Sequence, residues 1–593
     1  MAVVLGLVSG LVEGLFHIAL QRLNILENVW FEIVWIAAFF NALALATAAL
    51  VLGAIAARTG STRFRSFAVF SLAIVAVLPC LALGLKEWMK PYAILILTVG
   101  LATAFTRWFD RHPDRRLALF RRSLPWVAAL TVLIFAAMQG GFWMTERMAV
   151  RNLPAPDPGA PNILVIVIDA LRADHLSSYG YSRATSPNID RLAAEGVLFE
   201  RAFSTASYTL PSHASILTGL YPRQHGVEWL TSKAISNPAF PTLGEVLQRR
   251  GYRTAAFSGN TFWFAREHGF GRGFHHFEDY FHNVTDMFMR TSYGRMLTRF
   301  VMPRLGYDDI AARKHATDTN PAVLSWLGKD DANPFFVFIN YMDVHDPYLP
   351  PQPYRSKFSK NPEPGGLINW QLHMPSNLTA DQLQSETDAY DGAIAYVDDQ
   401  IDVLLKGLQQ RQSSRPLLVV ITSDHGEEFK EHGNLAHGHT LYRETIHVPL
   451  IFWQPGRVPQ GLRVSLPVSN SEIASTITEF LGGSERPFAG PPLQALWSTK
   501  GTGRWDYPLA ELHHRPWAEN KYPVHYGSLE SVMAPDWHCI QYEPPRLELF
   551  DWTNDFAENN NLADKPEMAH ALAQCRTRLD STENGVANKH QSN

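Results

Sequence analysis

The chain has 593 residues, 46% hydrophobic and 18% charged, with a formal net charge of −4. That length exceeds what one hydrophobic core organises, and the composition excludes a disordered, collagen-like or disulfide-scaffold chain. A faintly acidic balance gives no footing for nucleic acid as a partner, and three cysteines cannot staple a chain of this size.

Apolar residues crowd into the first quarter. Five runs near bilayer-spanning length fall at about 2–20, 29–56, 67–85, 91–106 and 124–144, and roughly 20 apolar residues cross a bilayer as a helix. The first run lacks the charged start and small-residue cleavage site of a signal peptide. Residues 1–144 are therefore expected to form a transmembrane helical domain in contact with the lipid bilayer. Arg58, Arg63 and Arg65 share one loop, and Arg107, Arg111, Arg115, Arg116, Arg121 and Arg122 another. The positive-inside rule places both loops in the cytoplasm, with Lys86 and Lys90 pulling weakly the other way. Everything from Thr145 onward is then extracytoplasmic, in a multi-pass protein of the cell (inner or plasma) membrane. Glu13 and His17, one helical turn apart inside the first span, read either as a polar contact between helices or as a functional pair.

Residues 145–161 end in a proline-rich stretch and read as a linker. Three continuous apolar runs follow along the chain: Asn162 to Ile168 ending in Asp169, Pro334 to Asn340 leading into Asp343 and His345, and Pro416 to Ser423 ending in Asp424. Runs of this kind are central strands buried on both faces. Helical patterns at Ile189–Glu195, Thr242–Arg250 and Thr387–Gln409 alternate with them, so the fold is α/β. Ligands on such sheets bind at the carboxyl ends of the strands, so the polar residues just beyond these strands should converge. From about Gly501 the chain turns loop-rich, with strand-like pieces at Trp537–Tyr542 and Leu547–Trp552. The expected division is a domain over 162–485, then a small C-terminal α+β subdomain and tail over 486–593.

Four stretches carry chemistry: Asp169-Ala-Leu-Arg172, Thr209-Leu-Pro-Ser-His213, Asp343-Val-His345, and Asp424-His425-Gly426 with His437-Gly-His439 beyond it. Adjacent carboxylate and imidazole groups at a strand end grip one divalent ion, and this donor set suits zinc or manganese better than calcium. A hydroxyl near such an ion becomes a nucleophile. Thr209 supplies one at what reads as a helix start, where amide N–H groups also face an anionic substrate. Glu427, Glu428 and His432 read as solvated loop residues. Cys539 and Cys575 lie on the extracytoplasmic side, with their pairing left open.

These segments, in this order, resemble the sulfatase and alkaline phosphatase superfamily from Asn162 to about Gly482. Gly269-Phe-Gly-Arg-Gly-Phe274, Tyr390–Tyr396 and Val448-Pro-Leu-Ile451 are similar to sulfatase sequence as well. The resemblance implies a sulfatase-like α/β sandwich and an enzyme, a hydrolase or phosphotransferase, with a metal-bound nucleophile. Departures from the sulfatase pattern are informative. Thr209 stands where sulfatases carry the cysteine or serine matured to formylglycine, and His213 stands where their arginine belongs. Ala170 replaces a second aspartate, Asn260 a substrate-binding lysine, and His425 the usual asparagine. A threonine nucleophile behind five membrane spans resembles the lipoteichoic acid synthases and phosphoethanolamine transferases.

That likeness implies one metal ion on Asp169, Thr209, Asp424 and His425. It implies Thr209 as the nucleophile, with His213 and Asn260 at positions where sulfatases contact substrate. His345, His437 and His439 lie after predicted strands or in the loop beyond Asp424. They read either as groups that protonate the leaving oxygen or contact the substrate, with His345 and His437 catalytic and His439 on the substrate, or as structural histidines. The expected substrate is a membrane lipid or a cell-envelope glycan or polymer, carrying a phosphoryl-type ester. Two alternatives stay open: sulfuric ester hydrolysis without formylglycine, and a non-catalytic protein that binds glycan or lipid headgroups.

Overall fold

The computed structural model describes the chain except residues 24–30, 87, 229–234, 236, 281–282, 307–308, 311–312, 329–331, 360–365, 370–373, 376, 412, 484, 498–505, 544–545 and 591–593. The first two residues of the expected second apolar run, and the loop-rich onset at Gly501, lie outside the described residues. Two compact units are present: Met1–Arg151 with Phe281–Tyr307, and Asn152–Tyr280 with Asp308–Asn593.

In the first unit, five helices are long and apolar enough to cross a membrane: α1 (Ala2–Arg22), α2 (Ile33–Thr59), α3 (Thr62–Leu85), α4 (Pro91–Arg111) and α5 (Pro113–Arg151). Helix α5 runs on past Met144 to Arg151, because 145–151 contains neither proline nor glycine to stop it. Helices α1 and α2 meet through Gly6, Gly10 and Gly14, spaced four apart on one face. A Cβ at these positions would lie only 2.3–2.4 Å from the α2 backbone at Ala42, Ala37 or Val34, so small residues are what let the two helices close up. Glu13 is fully enclosed beside this seam and accepts a hydrogen bond from Asn41 Nδ2 at 2.8 Å.

The second unit is built on an eight-stranded mixed sheet. Its strands in chain order are β1 (Asn162–Ile168), β2 (Val197–Phe199), β3 (Arg253–Ser258), β4 (His276–Glu278), β5 (Phe335–Tyr341), β6 (Leu417–Thr422), β7 (Leu450–Trp453) and β8 (Leu462–Val464). They lie in the order β8-β2-β7-β6-β1-β5-β3-β4. Strand β1 pairs in parallel with both β5 and β6, and β3 with β5, while β7 runs antiparallel to β6.

The unbroken apolar runs follow from this placement. Ile163, Val165 and Val167 enter one core, while Leu164, Ile166 and Ile168 enter the core on the opposite face. Side chains alternate across a strand, so a strand covered on both faces must be apolar at every position. A four-stranded antiparallel sheet follows: β9 (Leu509–Leu512), β10 (Leu529–Met533), β11 (Trp537–Tyr542) and β12 (Arg546–Asp551), in that order. The helix Ala569–His590 packs on it, and Cys539 is disulfide-bonded to Cys575 within their shared core.

Candidate active site

Asp169, Asn260, Asp343 and Asp424 follow the ends of β1, β3, β5 and β6, so one edge of the sheet gathers them. The Asp169 N–H is fixed by the Tyr341 carbonyl of β5 at 2.8 Å. Its Oδ2 accepts from Asn260 Nδ2 at 2.9 Å and from Asn340 Nδ2 at 3.4 Å. The next residue, Ala170, turns at φ 62° and donates its N–H to Asp424 Oδ1 at 3.3 Å. That turn knots the two strand ends together.

Asp169, Asp424 and His425 are all fully buried, and their ligand-type atoms lie within 4.8 Å of one another. Asp169 Oδ1 and Asp424 Oδ2 make no hydrogen bond. Each sits 3.5 Å from His425 Nε2. Burial, reinforced by the Asp169 charge, pushes Asp424 up to about 7. At Asp169 burial acts in the same upward sense, but the His345 charge, helped by the Asn260 hydrogen bond, outweighs it and holds the carboxyl below its usual range. Burial brings His425 down to about 4, leaving a neutral ring whose nitrogen can serve as a ligand.

Thr209 opens the helix Thr209–Thr218, and its Oγ1 stands 3.4 Å from His425 Nε2. The structure therefore brings Asp169, Thr209, Asp424 and His425 into one cluster. A second cluster, His345, Asp346 and His437, adjoins it. His345 Nδ1 lies 2.9 Å from Asp346 Oδ1. Burial would lower this ring, but the Asp346 charge and hydrogen bond prevail and raise it to about 10. His437 stacks on His425 at 4.1 Å between ring centroids, and its Nδ1 lies 3.0 Å from Glu427 Oε1. Burial and the neighbouring histidines hold His437 well below the usual range. Thr209, His345, His437 and His439 line a cavity of about 240 Å³ walled by Tyr208, Trp263 and Tyr522. His439 stacks on Tyr522 with centroids 3.8 Å apart.

Of the expected substrate contacts, His213 and Asn260 are fully buried and are not among the residues that line this cavity. His213 Nδ1 lies 3.0 Å from the Thr209 carbonyl and 3.4 Å from Asp424 Oδ2, so it braces the cluster from behind. Asn260 grips Asp169 and accepts the Trp263 N–H. Glu427 and Glu428 are not solvated either. The N–H groups of Gly426 and Glu427 bond the carbonyls of Thr445 and Glu444, which draws this charged stretch into the interior. Burial, with the Asp346 charge beside it, pushes Glu427 well above the carboxylate range. His432 is part-buried and stacks on Tyr442. Asn340 escaped the sequence reading; its one signal is a polar residue inside an otherwise apolar strand.

The fold and the comparisons together place this α/β domain among the hydrolases of the sulfatase and alkaline phosphatase superfamily. The Sulfatase family model matches residues 161–483, and the chain belongs to the sulfatase family. Members of this superfamily depend on metal ions. Among curated relatives, the Delta 4,5-hexuronate-2-O-sulfatase of Bacteroides thetaiotaomicron is 24% identical over 73% of this chain and 91% of its own. Human iduronate 2-sulfatase is 26% identical over 55% of this chain and 64% of its own. Among solved structures, the phosphonate monoester hydrolase of Agrobacterium radiobacter aligns with a TM-score of 0.57 at 22% identity, covering 73% of this chain and 96% of that one.

Proposed function

We propose that this sulfatase-family hydrolase is anchored in the cell membrane by α1–α5, with its N-terminus in the cytoplasm, and that it cleaves phosphoryl-type esters outside with Thr209 as nucleophile. One observation carries the reading: two buried carboxylate oxygens without hydrogen bonds, Asp169 Oδ1 and Asp424 Oδ2, face the nitrogen that the Thr209 hydroxyl also approaches. Uncompensated buried carboxylates are costly, and a single divalent ion held by Asp169, Asp424, His425 and Thr209 fits them. Mixed oxygen and nitrogen donors suit zinc or manganese better than calcium. When bound, such an ion neutralises charge on the phosphoryl oxygens and eases loss of a proton from a neighbouring hydroxyl.

The chain's own residues supply the rest. Thr209 Oγ forms a bond to phosphorus as the opposite ester bond breaks, and the hydroxyl proton passes to water in the cavity. Amide groups at the start of the Thr209–Thr218 helix face the anion. His345, held protonated by Asp346, gives a proton to the departing oxygen. Water or an acceptor hydroxyl then displaces Thr209 from phosphorus, so hydrolysis and transfer share one intermediate. His437 and His439 line the cavity where the substrate, a membrane lipid or cell-envelope glycan, would sit.

The curated relatives, named as sulfatases, favour a second reading, sulfuric ester hydrolysis. Formylglycine has no route here, because the Thr209 Cβ carries a methyl group. Full-length enzyme given a bis-aryl phosphate, quenched and weighed intact, should carry one aryl-phosphoryl adduct on Thr209. Aryl sulfates turned over far faster than phosphodiesters, with no adduct, would overturn the phosphoryl assignment.

A further inference from the structure

Residues 281–307 interrupt the catalytic chain yet belong to the compact unit of α1–α5. They form two short helices, Val284–Met289 and Ser292–Phe300. Thr291 caps the second by accepting from Gly294 N. Three contacts fix the segment to the membrane helices. Ser292 N–H donates to Glu13 Oε1 at 2.7 Å, which completes the partners of the carboxylate already held by Asn41. The Tyr293 hydroxyl donates to the Val75 carbonyl of α3. Met287 and Phe288 pack on Ile33, Ile36, Ala37 and Phe40. Those residues occupy the first two turns of α2, a depth of about 10 Å at 1.5 Å per residue.

Several other apolar side chains of the segment are largely exposed among the described residues. Val284 is 66% exposed, Met296 53%, Val301 42% and Leu305 65%. Among the described residues, the second unit leaves only Val403, Trp517, Tyr526 and Phe556 comparably exposed across its whole extent. Arg290, Arg295 and Arg304 alternate along the sequence with these apolar residues. Arginine among exposed apolar residues is the pattern of a helix lying in a bilayer interface, with its apolar face about 5–10 Å below the headgroups and guanidinium groups reaching the lipid phosphates.

We propose that Val284–Leu305 is a second membrane-contacting element, an amphipathic hairpin latched by Glu13 and seated in the outer leaflet, with anionic phospholipid as its partner. This rests on the reading that α1–α5 cross a bilayer. It gives Glu13 a role: its carboxylate anchors a segment supplied from far along the chain.

Spin labelling of the full-length protein in liposomes tests it. In a Cys80→Ala background, a nitroxide is placed by Met296→Cys or Leu305→Cys, both exposed positions that tolerate a label. Leu133→Cys in α5 and Val403→Cys serve as lipid and water references. Collision with oxygen should exceed collision with a water-soluble nickel chelate at Met296 and Leu305, as at Leu133. In phosphatidylglycerol-containing liposomes, Arg290→Gln with Arg295→Gln and Arg304→Gln should lower that ratio at Met296 by about twofold or more. Nickel access at Met296 matching Val403 would overturn the proposal. Shielding from both reagents would overturn it too, because it would mean a protein partner covers the segment. An unchanged ratio in the arginine variant would overturn the anionic-lipid assignment. Nickel access at Leu133 itself would instead defeat the membrane reading of α1–α5, so the two failures are distinguishable.

Discussion

Asn260 donates its side-chain amide to Asp169 Oδ2 at 2.9 Å, which leaves Oδ1 as the oxygen turned without a partner toward His425. The amide thus selects the face that Asp169 offers to the cluster. Asn260→Ala should weaken metal binding by about 10–100-fold, the usual consequence of removing a partner that orients a ligand. It should also cost about 1–3 kcal/mol of stability through the unpaired oxygen. Competition against a chelator of known affinity reads the first effect and chemical denaturation the second. Wild-type affinity would contradict the orienting role.

Asp424→Ala should remove the bound metal while the sheet survives, because Asp424 lies past the end of β6 and contributes nothing to the two apolar cores. Elemental analysis of purified wild type and variant is the measurement, with circular dichroism as the folding control. Two ions per wild-type chain, or one retained in the variant, would contradict the proposed site.

Thr209→Ala should abolish turnover and the phosphoryl adduct, whereas Thr209→Ser should keep part of both. Loss of a covalent nucleophile costs several orders of magnitude in kcat, since residual rates come only from binding and charge stabilisation. Wild-type rates in Thr209→Ala would eliminate it as nucleophile.

The disulfide Cys539–Cys575 closes a loop with a sequence separation of 36 between β11 and the C-terminal helix. By loop-closure entropy it stabilises the folded subdomain by roughly 3–4 kcal/mol. Cys575→Ser should therefore lower the melting temperature without reducing metal content. An unchanged melting temperature would mean that the apolar contacts of Leu549 and Leu579 alone hold this helix.

Much of this was legible in the sequence, and the reasons differ by element. Strands β1, β5 and β6 were visible because burial on both faces forces an unbroken apolar run, and the acids at their ends followed from sheet geometry. The membrane-type helices were visible by length. What stayed hidden depends on contacts between distant residues. Asn340 meets Asp169 from 171 positions away, and Ser292 meets Glu13 from 279. Glu427 and Glu428 sit in a stretch whose charge suggests a solvated loop, and only the backbone bonds to Glu444 and Thr445 reveal that it is drawn inside. His213 and Asn260 were placed on the substrate by likeness to sulfatase positions.

His315 offers a pH-dependent test away from the metal-type cluster. Its Nδ1 lies 2.8 Å from Asp343 Oδ1 and its Nε2 3.0 Å from Asp309 Oδ2. Burial would lower this ring, but the two carboxylates prevail and raise it to about 10. Asp343 also accepts the Ala316 N–H at 3.1 Å, so the imidazolium ties the end of β5 to the start of the helix Ala316–Leu327. A histidine raised above its unfolded value of 6.5 contributes stability that is complete below that pH and is lost as pH rises through about 10. The ring is 33% exposed and Asp309 39%, so solvent screening discounts the contribution to about 1 kcal/mol. Wild type should therefore exceed His315→Gln in stability at about pH 6, with the gap closing at pH values above about 10. Denaturant melts of both proteins at the two pH values measure it, and a gap independent of pH would show that the ring acts by packing rather than by charge.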